Sequence, residues 1–197
     1  MDETERIGRF GQGVAIRLCC HPATVPDVVR DLRASVGRPR AGMLDIGFRL
    51  AGEISRIRLP APGAVRPGTR LWEHTCFEVF VAREREPAYH ELNVAPSREW
   101  AVHAFRAYRD AAAGPCALPA PDVAVRRSDE LIELDARVSL LHLSPSYAEA
   151  RLRIGLCAVV ETDDGRRSYW AIRHSSDKPD LHHADAFALW LEPPREG

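Results

Sequence analysis

Two neighbouring segments of the chain, LWEHTCFEVFV and YHELNV, carry the side chains best suited to bind a polar ligand. Side chains alternate between the two faces of a strand, so each segment divides into two sets. One set is apolar and suits a buried core: Leu71, Phe77, Val79, Val81, Leu92 and Val94. The other set combines aromatic, imidazole, thiol, carboxyl and amide groups: Trp72, His74, Cys76, Glu78, Tyr89, Glu91 and Asn93. This second set predicts a ligand-binding face on a β-sheet, because a merely solvated face would carry mostly Lys, Arg, Ser and Thr.

The two acids of this face, Glu78 and Glu91, have more than one interpretation. Carboxylates accept hydrogen bonds from ligand hydroxyl groups, and Asn93 would add an amide. Two carboxyl groups about 5 Å apart, with a histidine nearby, could also perform acid–base catalysis on a glycoside. The acids could equally bind Lys178 or Arg109. The chain contains no G-x-S-x-G, H-E-x-x-H or P-loop motif, so catalysis has no motif support.

Metal-ligating residue types concentrate near the C-terminus, at His174, His182, His183 and Asp185. Imidazole, carboxylate and thiolate groups bind zinc, and His74 or Cys76 could complete such a set. However, the spacing H-x7-H-H-x-D matches no zinc signature. The five cysteines are odd in number and show no C-x-x-C spacing, which argues against both a zinc knuckle and a disulfide framework. The sequence therefore predicts neither a bound metal nor another cofactor.

The segment HSSDKPDLHH contains Lys178, the only lysine of the chain, among three histidines. Pro179 and the two aspartates predict a turn-rich loop, and most such loops are solvated. Because binding residues often lie on loops beside a rigid sheet, we expect this loop to cover one end of the ligand-binding face. Lys178, His174 and His182 are therefore candidate ligand contacts.

Length and composition restrict the class of protein. With 197 residues and no linker-like stretch, the chain is expected to form one domain spanning residues 1–197. A net charge of −1, without a basic cluster, argues against nucleic-acid binding. The charged segment MDETERIGRF lacks the apolar core of a secretory signal, and no run reaches the ~18 apolar residues of a membrane span. We expect a cytoplasmic monomer or homodimer that binds neither nucleic acid nor membrane.

The first third of the chain predicts strands and one short N-terminal helix. Residues 13–21 predict a strand. The segment PDVVRDLRASV predicts the helix, because Val28, Leu32 and Val36 recur every four residues between a cap at Thr24 and a stop at Gly37. The segments LDIGFRLAG and ISRIRLP predict a hairpin, and residues 61–68, rich in proline and glycine, predict a loop.

The segment SREWAVHAFRAYRDAAAG gives conflicting signals. Trp100, Ala104, Phe105 and Tyr108 recur at helical spacing, alanine is plentiful, and Ser97 could cap a helix. Periodicity by itself therefore predicts a helix here, between segments that otherwise predict strands.

The remaining segments alternate cleanly and predict antiparallel strands. DVAVRRS and LIELDARVSL predict one hairpin, and RLRIGLCAVVE and RRSYWAIRH predict another that turns at an Asp-Gly pair. HLSPSYAEA predicts a connector with one helical turn, and AFALWLE predicts the last strand. About ten short strands separated by turn signals predict an all-β fold, an antiparallel β-sandwich.

Three motifs, LWEHTCFEVFV, YHELNVAPSREWAVHAFRAYR and SYWAIRHSSDKPDLHHADAFAL, resemble those of the bacterial DOMON-like proteins, relatives of the family 9 carbohydrate-binding modules. The motifs occur in the same order, and the resemblance extends from His21 to Leu191. It implies an antiparallel β-sandwich whose concave face binds sugars or, in some branches, haem. It also implies that REWAVHAFRAYR is a strand, and we adopt that expectation because tertiary pairing often overrides local propensity.

The resemblance also bears on the aromatic residues. Two tryptophans of the family 9 modules sandwich a terminal sugar, and Trp72 and Trp170 resemble that pair most closely. Indole rings stack on sugar faces, but both tryptophans could instead fill the core, where we expect Trp100 and Trp190. A haem-binding DOMON domain would use a methionine and a histidine as axial ligands, and Met43, the one methionine besides the initiator, is expected to have a core role.

We therefore predict non-catalytic binding of a small polar ligand, a sugar or sugar derivative, on a concave sheet face. The expected ligand contacts are Trp72, His74, Glu78, Glu91, Asn93, Trp170, His174, Lys178 and His182. The alternatives are an enzyme that uses carboxyl and histidine groups on a sugar-like substrate, a haem- or metal-binding domain, and an interaction module without a small ligand.

Overall fold

The structure, a computed structural model, describes residue 13, residues 15–112 and residues 118–194. Its strands in these ranges are β1 (Ile16–Arg17), β2 (Cys19–Cys20), β3 (Val29–Gly37), β4 (Met43–Gly52), β5 (Arg66–Pro67), β6 (Cys76–Arg83), β7 (Tyr89–Val94), β8 (Glu99–Ala107), β9 (Asp110–Ala111), β10 (Asp122–Arg127), β11 (Leu131–Ser139), β12 (Leu152–Glu161), β13 (Arg167–Ala171) and β14 (Leu189–Leu191). Between them lie the helix α1 (Leu140–Leu143) and 3-10 turns at Ile54–Arg56, Leu71–Glu73, Pro145–Tyr147 and Ala184–Ala186.

The strands form two sheets that pack face to face. One sheet has the order β1-β3-β4-β11-β10. The other has the order β2-β13-β12-β6-β7-β8-β5, with β14 added to β12 and β9 to β8. Neighbouring strands are antiparallel in most of these pairs, and β5 runs parallel to β8. The antiparallel all-β sandwich predicted from the sequence is confirmed.

The core lies between the sheets and takes alternate side chains of the long strands of both sheets. Phe48 of β4 stacks on Phe77 of β6 with ring centroids 4.8 Å apart, so this side of β6 faces the opposite sheet. Val79, Leu92 and Val94 are buried in the same core, as the alternation predicts. The alternate side chains of β6 and β7 consequently project from the outer face of the larger sheet.

The segment PDVVRDLRASV contains the strand β3, so the predicted N-terminal helix is wrong. Val28, Leu32 and Val36 are spaced by four residues, but this spacing also places side chains on one face of a strand. Ala34 is buried between Leu32 and Val36, at strand spacing, and β3 is paired with β4 along its length and with β1 on its other edge. The backbone hydrogen bonds of both partners therefore decide the conformation against the helical pattern.

Residues 99–107 form the strand β8, as the family resemblance implies and against the helical periodicity. Trp100 and Val102 enter the core between the sheets, while His103 and Phe105 point to the outer face. Antiparallel pairing with β7 places His103 directly opposite Glu91. The periodicity was misleading because the alanines of this segment fit either face of a strand.

Two other segments differ from the sequence prediction. The second arm of the hairpin predicted from ISRIRLP is a 3-10 turn, because β4 already has β3 on one edge and β11 on the other. The chain crosses instead to the larger sheet, where Ile57 bridges Thr162. The strand predicted over residues 13–21 is divided into β1 and β2, which join different sheets, and residue 14 lies outside the described residues.

The predicted hairpins β10–β11 and β12–β13 are confirmed, and β6 pairs antiparallel with β7. Gly165 closes the β12–β13 turn with φ of +84°, a conformation that glycine adopts without a steric cost. The connector before β12, predicted to contain one helical turn, contains two: α1 and the 3-10 turn at Pro145–Tyr147. Within the described ranges, no helix is long and apolar enough to span a membrane.

Candidate functional site

A cavity of about 430 Å³ lies on the outer face of the larger sheet. Strands β6, β7, β8, β12 and β13 contribute its floor and walls, and residues 179–182 of the loop before β14 contribute a further wall. The volume lies within the usual range of small-molecule pockets, roughly 300–1,000 Å³. The cavity is therefore large enough for a small organic ligand.

Two buried carboxyl groups lie in this cavity. Glu78 of β6 and Glu91 of β7 are diagonal neighbours on one sheet face, because Glu78 pairs with Asn93 and Glu91 pairs with Phe80. Their residues are 3% and 4% exposed, respectively. Asn93 lies beneath them: its Nδ2 donates a hydrogen bond of 2.7 Å to Oε1 of Glu91, and its Oδ1 accepts one of 3.7 Å from Cys76 Sγ. Asn93 therefore positions Glu91 from within the protein rather than lining the cavity.

Burial and mutual repulsion oppose ionisation of the two carboxyl groups. Burial raises the pKa of Glu78 well above its ordinary value, the charge of Glu91 raises it further, and Arg109 partly opposes both effects. Burial also raises the pKa of Glu91, while the Asn93 hydrogen bond and Arg109 lower it. Oε1 of Glu78 is buried and has no hydrogen-bond partner among the described residues. The hydrogen-bonding capacity of this oxygen is therefore unsatisfied within the described residues.

His182 connects the loop to the carboxyl groups. Its Nδ1 lies 2.8 Å from the hydroxyl of Tyr89, and its Nε2 lies 3.7 Å from Oε2 of Glu91. Burial and the nearby charge of Arg109 lower the pKa of His182 to about 4, so the ring is neutral at neutral pH. The Tyr89 hydroxyl accepts the backbone N–H of Arg109 at 3.1 Å. We assign its own proton to Nδ1 of His182, which leaves the ring proton on Nε2, facing Glu91.

Hydrogen bonds to Asp180 hold the loop before β14 against the larger sheet. Asp180 accepts hydrogen bonds of 2.8 Å from the Arg109 guanidinium and 2.8 Å from the Tyr108 hydroxyl, both on the turn after β8. Pro179 and Leu181 flank Asp180 and line the cavity. The loop therefore borders this cavity, on the sheet face that carries Glu78 and Glu91.

Aromatic side chains form other parts of the cavity wall. Trp72 comes from the 3-10 turn before β6, is 39% exposed, and meets the His103 ring edge-on at 5.2 Å. Phe105 of β8 and Tyr169 of β13 line the same cavity. The cavity thus combines two carboxyl groups with aromatic surface, the combination that sequence analysis predicts for this face.

Trp170 lies elsewhere, so the expected pairing of Trp72 with Trp170 does not occur. The side chain of Trp170 belongs to the core between the sheets, and its indole N–H donates a hydrogen bond of 2.9 Å to Ser168 Oγ. Because side chains alternate along β13, the neighbouring Tyr169 faces the cavity instead. Trp190, expected in the core, is exposed and covers Arg151.

Three further predicted contacts are not brought to the cavity. His74 lies at a separate cavity of about 290 Å³ and binds Oε2 of Glu161 at 2.7 Å, because the 3-10 turn interrupts the strand alternation before β6. His174 donates a hydrogen bond of 2.9 Å to the Cys19 carbonyl. Lys178 is exposed next to the cavity-lining Pro179. Of the predicted contacts, the structure therefore brings together Trp72, Glu78, Glu91 and His182, with Asn93 beneath them.

Sequence analysis missed several lining residues, among them His103, Phe105, Arg167 and Tyr169. His103 and Phe105 could have been found from the alternation of REWAVHAF once this segment is taken as a strand. Arg109 was considered only as an ion-pair partner of the two acids, whereas its guanidinium pairs with Asp180 in the structure.

The histidines near the C-terminus do not gather around one point. His182 faces Tyr89, His174 contacts the β2 backbone, and His183 Nδ1 accepts the backbone N–H of Asp185 at 3.3 Å. In the part of the chain that the structure describes, no group of three or more His, Cys, Asp or Glu side chains is arranged to hold a metal ion.

The buried acid makes stability depend on pH in a testable way. Glu78 retains its proton in the folded protein at pH values where the unfolded chain has released it, so ionisation favours unfolding as the pH rises above the ordinary carboxyl value. We expect Glu78→Gln to stabilise the free protein increasingly over this window and to have no such advantage at acid pH. Urea unfolding between about pH 4 and about pH 9 measures this difference. A variant whose stability runs parallel to wild type across the range would contradict the expected ionisation.

No protein-family model matches the chain, and a search of curated proteins found no match. Solved structures do match. A protein from Bacteroides uniformis ATCC 8492, for which carbohydrate binding has been suggested, has a TM-score of 0.62 at 12% identity, covering 86% of this chain and 82% of that one. A family 9 carbohydrate-binding module from Caldicellulosiruptor kristjanssonii in complex with cellotriose has a TM-score of 0.57 at 9% identity, covering 93% and 83%.

A structure of a family 9 module from the same organism in complex with glucose has a TM-score of 0.55 at 8% identity, covering 91% of this chain and 86% of that one. At these identities the similarity shows the fold. The chain thus has the β-sandwich architecture of the family 9 modules.

Proposed function

We propose that the cavity binds a sugar or sugar derivative and that the protein acts by recognition. The observation that carries this proposal is the placement of two buried carboxyl groups, Glu78 and Glu91, in one cavity with Trp72 and Tyr169. Sugars present hydroxyl donors at their edges and C–H groups on their faces. Carboxyl oxygens accept the hydroxyl hydrogen bonds, and aromatic rings contact the apolar faces.

The unpartnered oxygen of Glu78 adds a second argument. A buried polar atom without a hydrogen bond is costly, and a ligand hydroxyl that reaches it recovers that cost on binding. The fold shared with family 9 modules, two of them in complex with cellotriose or glucose, supports a sugar over other polar ligands.

Isothermal titration calorimetry against a panel of monosaccharides and disaccharides tests the proposal. We expect at least one sugar to bind wild type, and Glu78→Gln to weaken binding without abolishing it, because the amide keeps the shape and one acceptor. Glu133→Gln is the matched control, since it removes a carboxyl group that pairs with Arg126 on the other sheet. A panel without a single binder, or equal losses in both variants, would argue against the cavity as a sugar site.

Catalysis is the second candidate, and the raised pKa of Glu78 favours it. A carboxyl group whose pKa is raised by burial holds its proton to higher pH and can act as a general acid on a glycosidic oxygen. If the protein is a glycosidase, Glu78→Gln should retain substrate while turnover falls by about 100-fold or more, because an amide cannot transfer a proton. Chromogenic glycosides measure this turnover, and wild type that releases no product from any of them would remove this candidate.

A further inference from the structure

We propose that the ligand is an amino sugar whose protonated amine lies between Glu78 and Glu91. This inference rests on the proposed sugar site and specifies its ligand. Both carboxyl groups are more than nine-tenths buried and share one cavity wall. Oε1 of Glu78 lacks a partner among the described residues, and Oε2 of Glu91 has only the 3.7 Å contact with neutral His182 there.

The cationic residues that line the cavity are engaged elsewhere. Arg109 binds Asp180 at 2.8 Å, and Arg167 donates a hydrogen bond of 3.4 Å to the backbone carbonyl of Glu73. Within the described ranges, neither guanidinium forms an ion pair with Glu78 or Glu91. The two acids therefore face the cavity without a protein cation in contact with them.

A neutral hydroxyl group and an ammonium group would satisfy this pair differently. A hydroxyl donates one hydrogen bond and leaves two close negative charges, or a proton, in place. An ammonium group donates three hydrogen bonds and also compensates the buried charge. Trp72, Phe105 and Tyr169 also line the cavity, and an aromatic ring attracts a cation that lies over its face.

Matched ligands test the inference. At neutral pH, calorimetry compares glucose with glucosamine, with 3-amino-3-deoxyglucose and with 6-amino-6-deoxyglucose, since the position of the amine is open. Glucose is the uncharged ligand of nearly the same size, and N-acetylglucosamine keeps the nitrogen of glucosamine as a neutral but bulkier amide. We expect one of the amines to bind at least about 10-fold more tightly than both glucose and N-acetylglucosamine, on the scale of charge-assisted hydrogen bonds.

The variants locate the effect. Glu78→Gln should lower the affinity for the preferred amino sugar by about 10-fold or more and affect glucose much less, whereas the control Glu133→Gln should leave both unchanged. Glucose that binds as tightly as every amine, or equal losses for amine and glucose in Glu78→Gln, would overturn the inference and leave the sugar site standing. Binding of neither neutral nor amino sugars would contradict both proposals.

Discussion

Replacing Trp170 by alanine is expected to lower the free energy of unfolding by about 3–5 kcal/mol, as for other large-to-small aromatic changes in protein cores. The side chain is 6% exposed and packs between the sheets, so its removal leaves a cavity. The Ser168 hydroxyl, which accepts the indole hydrogen bond, also loses its partner. Urea unfolding at neutral pH measures the loss. Trp170→Phe should lose less, because it fills part of the space.

Trp190→Ala is the control for this stability experiment. Trp190 is 42% exposed and covers Arg151, with the guanidinium carbon 4.3 Å from the ring centroid, so its loss should cost no more than about 1 kcal/mol. Equal stability losses for Trp170→Ala and Trp190→Ala would show that Trp170 is not the core residue described above.

Replacing Trp72 by alanine is expected to lower the affinity for the bound sugar by about 10- to 100-fold, the usual effect of removing an aromatic anchor. Trp72 lines the cavity but is 39% exposed, so its removal should change the free energy of unfolding much less than the Trp170 change does. Calorimetry with the best sugar of the panel measures the affinity. The two tryptophans that the family resemblance pairs as ligand contacts should thus separate into one that affects binding and one that affects stability.

Trp190→Ala serves again as the matched control, because this tryptophan has nearly the same exposure as Trp72 and does not line the cavity. Its affinity for the sugar should equal that of wild type. Full affinity in Trp72→Ala, with the protein folded, would exclude an aromatic contact at this position.

The face that carries the candidate site could be predicted from the sequence because β6 and β7 alternate without interruption. Phe77 and Val79 belong to the core while Glu78 and Glu91 share the outer face, as expected from strand geometry. That alternation ends at the 3-10 turn before β6, which explains why His74 lies at a different cavity although the pattern assigned it to the same face.

The sequence does not show which side chains of β13 face the core and which face the cavity. Tyr169 and Trp170 are adjacent aromatics, and either could occupy the core with the other on the outer face. Pairing with β12 decides, because Trp170 lies opposite core Ala158 and Tyr169 opposite cavity-lining Val159. The helix prediction for the β3 segment was wrong for a related reason, because a four-residue spacing fits one face of a helix and one face of a strand equally well.

A crystal structure of the protein soaked with the tightest-binding sugar of the panel tests the central claim most directly. We predict the sugar in the cavity beside Trp72, with a hydroxyl or amine nitrogen within about 3.2 Å of a Glu78 carboxyl oxygen. A sugar bound at the separate cavity beside His74 and Glu161, with the cavity at Glu78 unoccupied, would contradict this assignment.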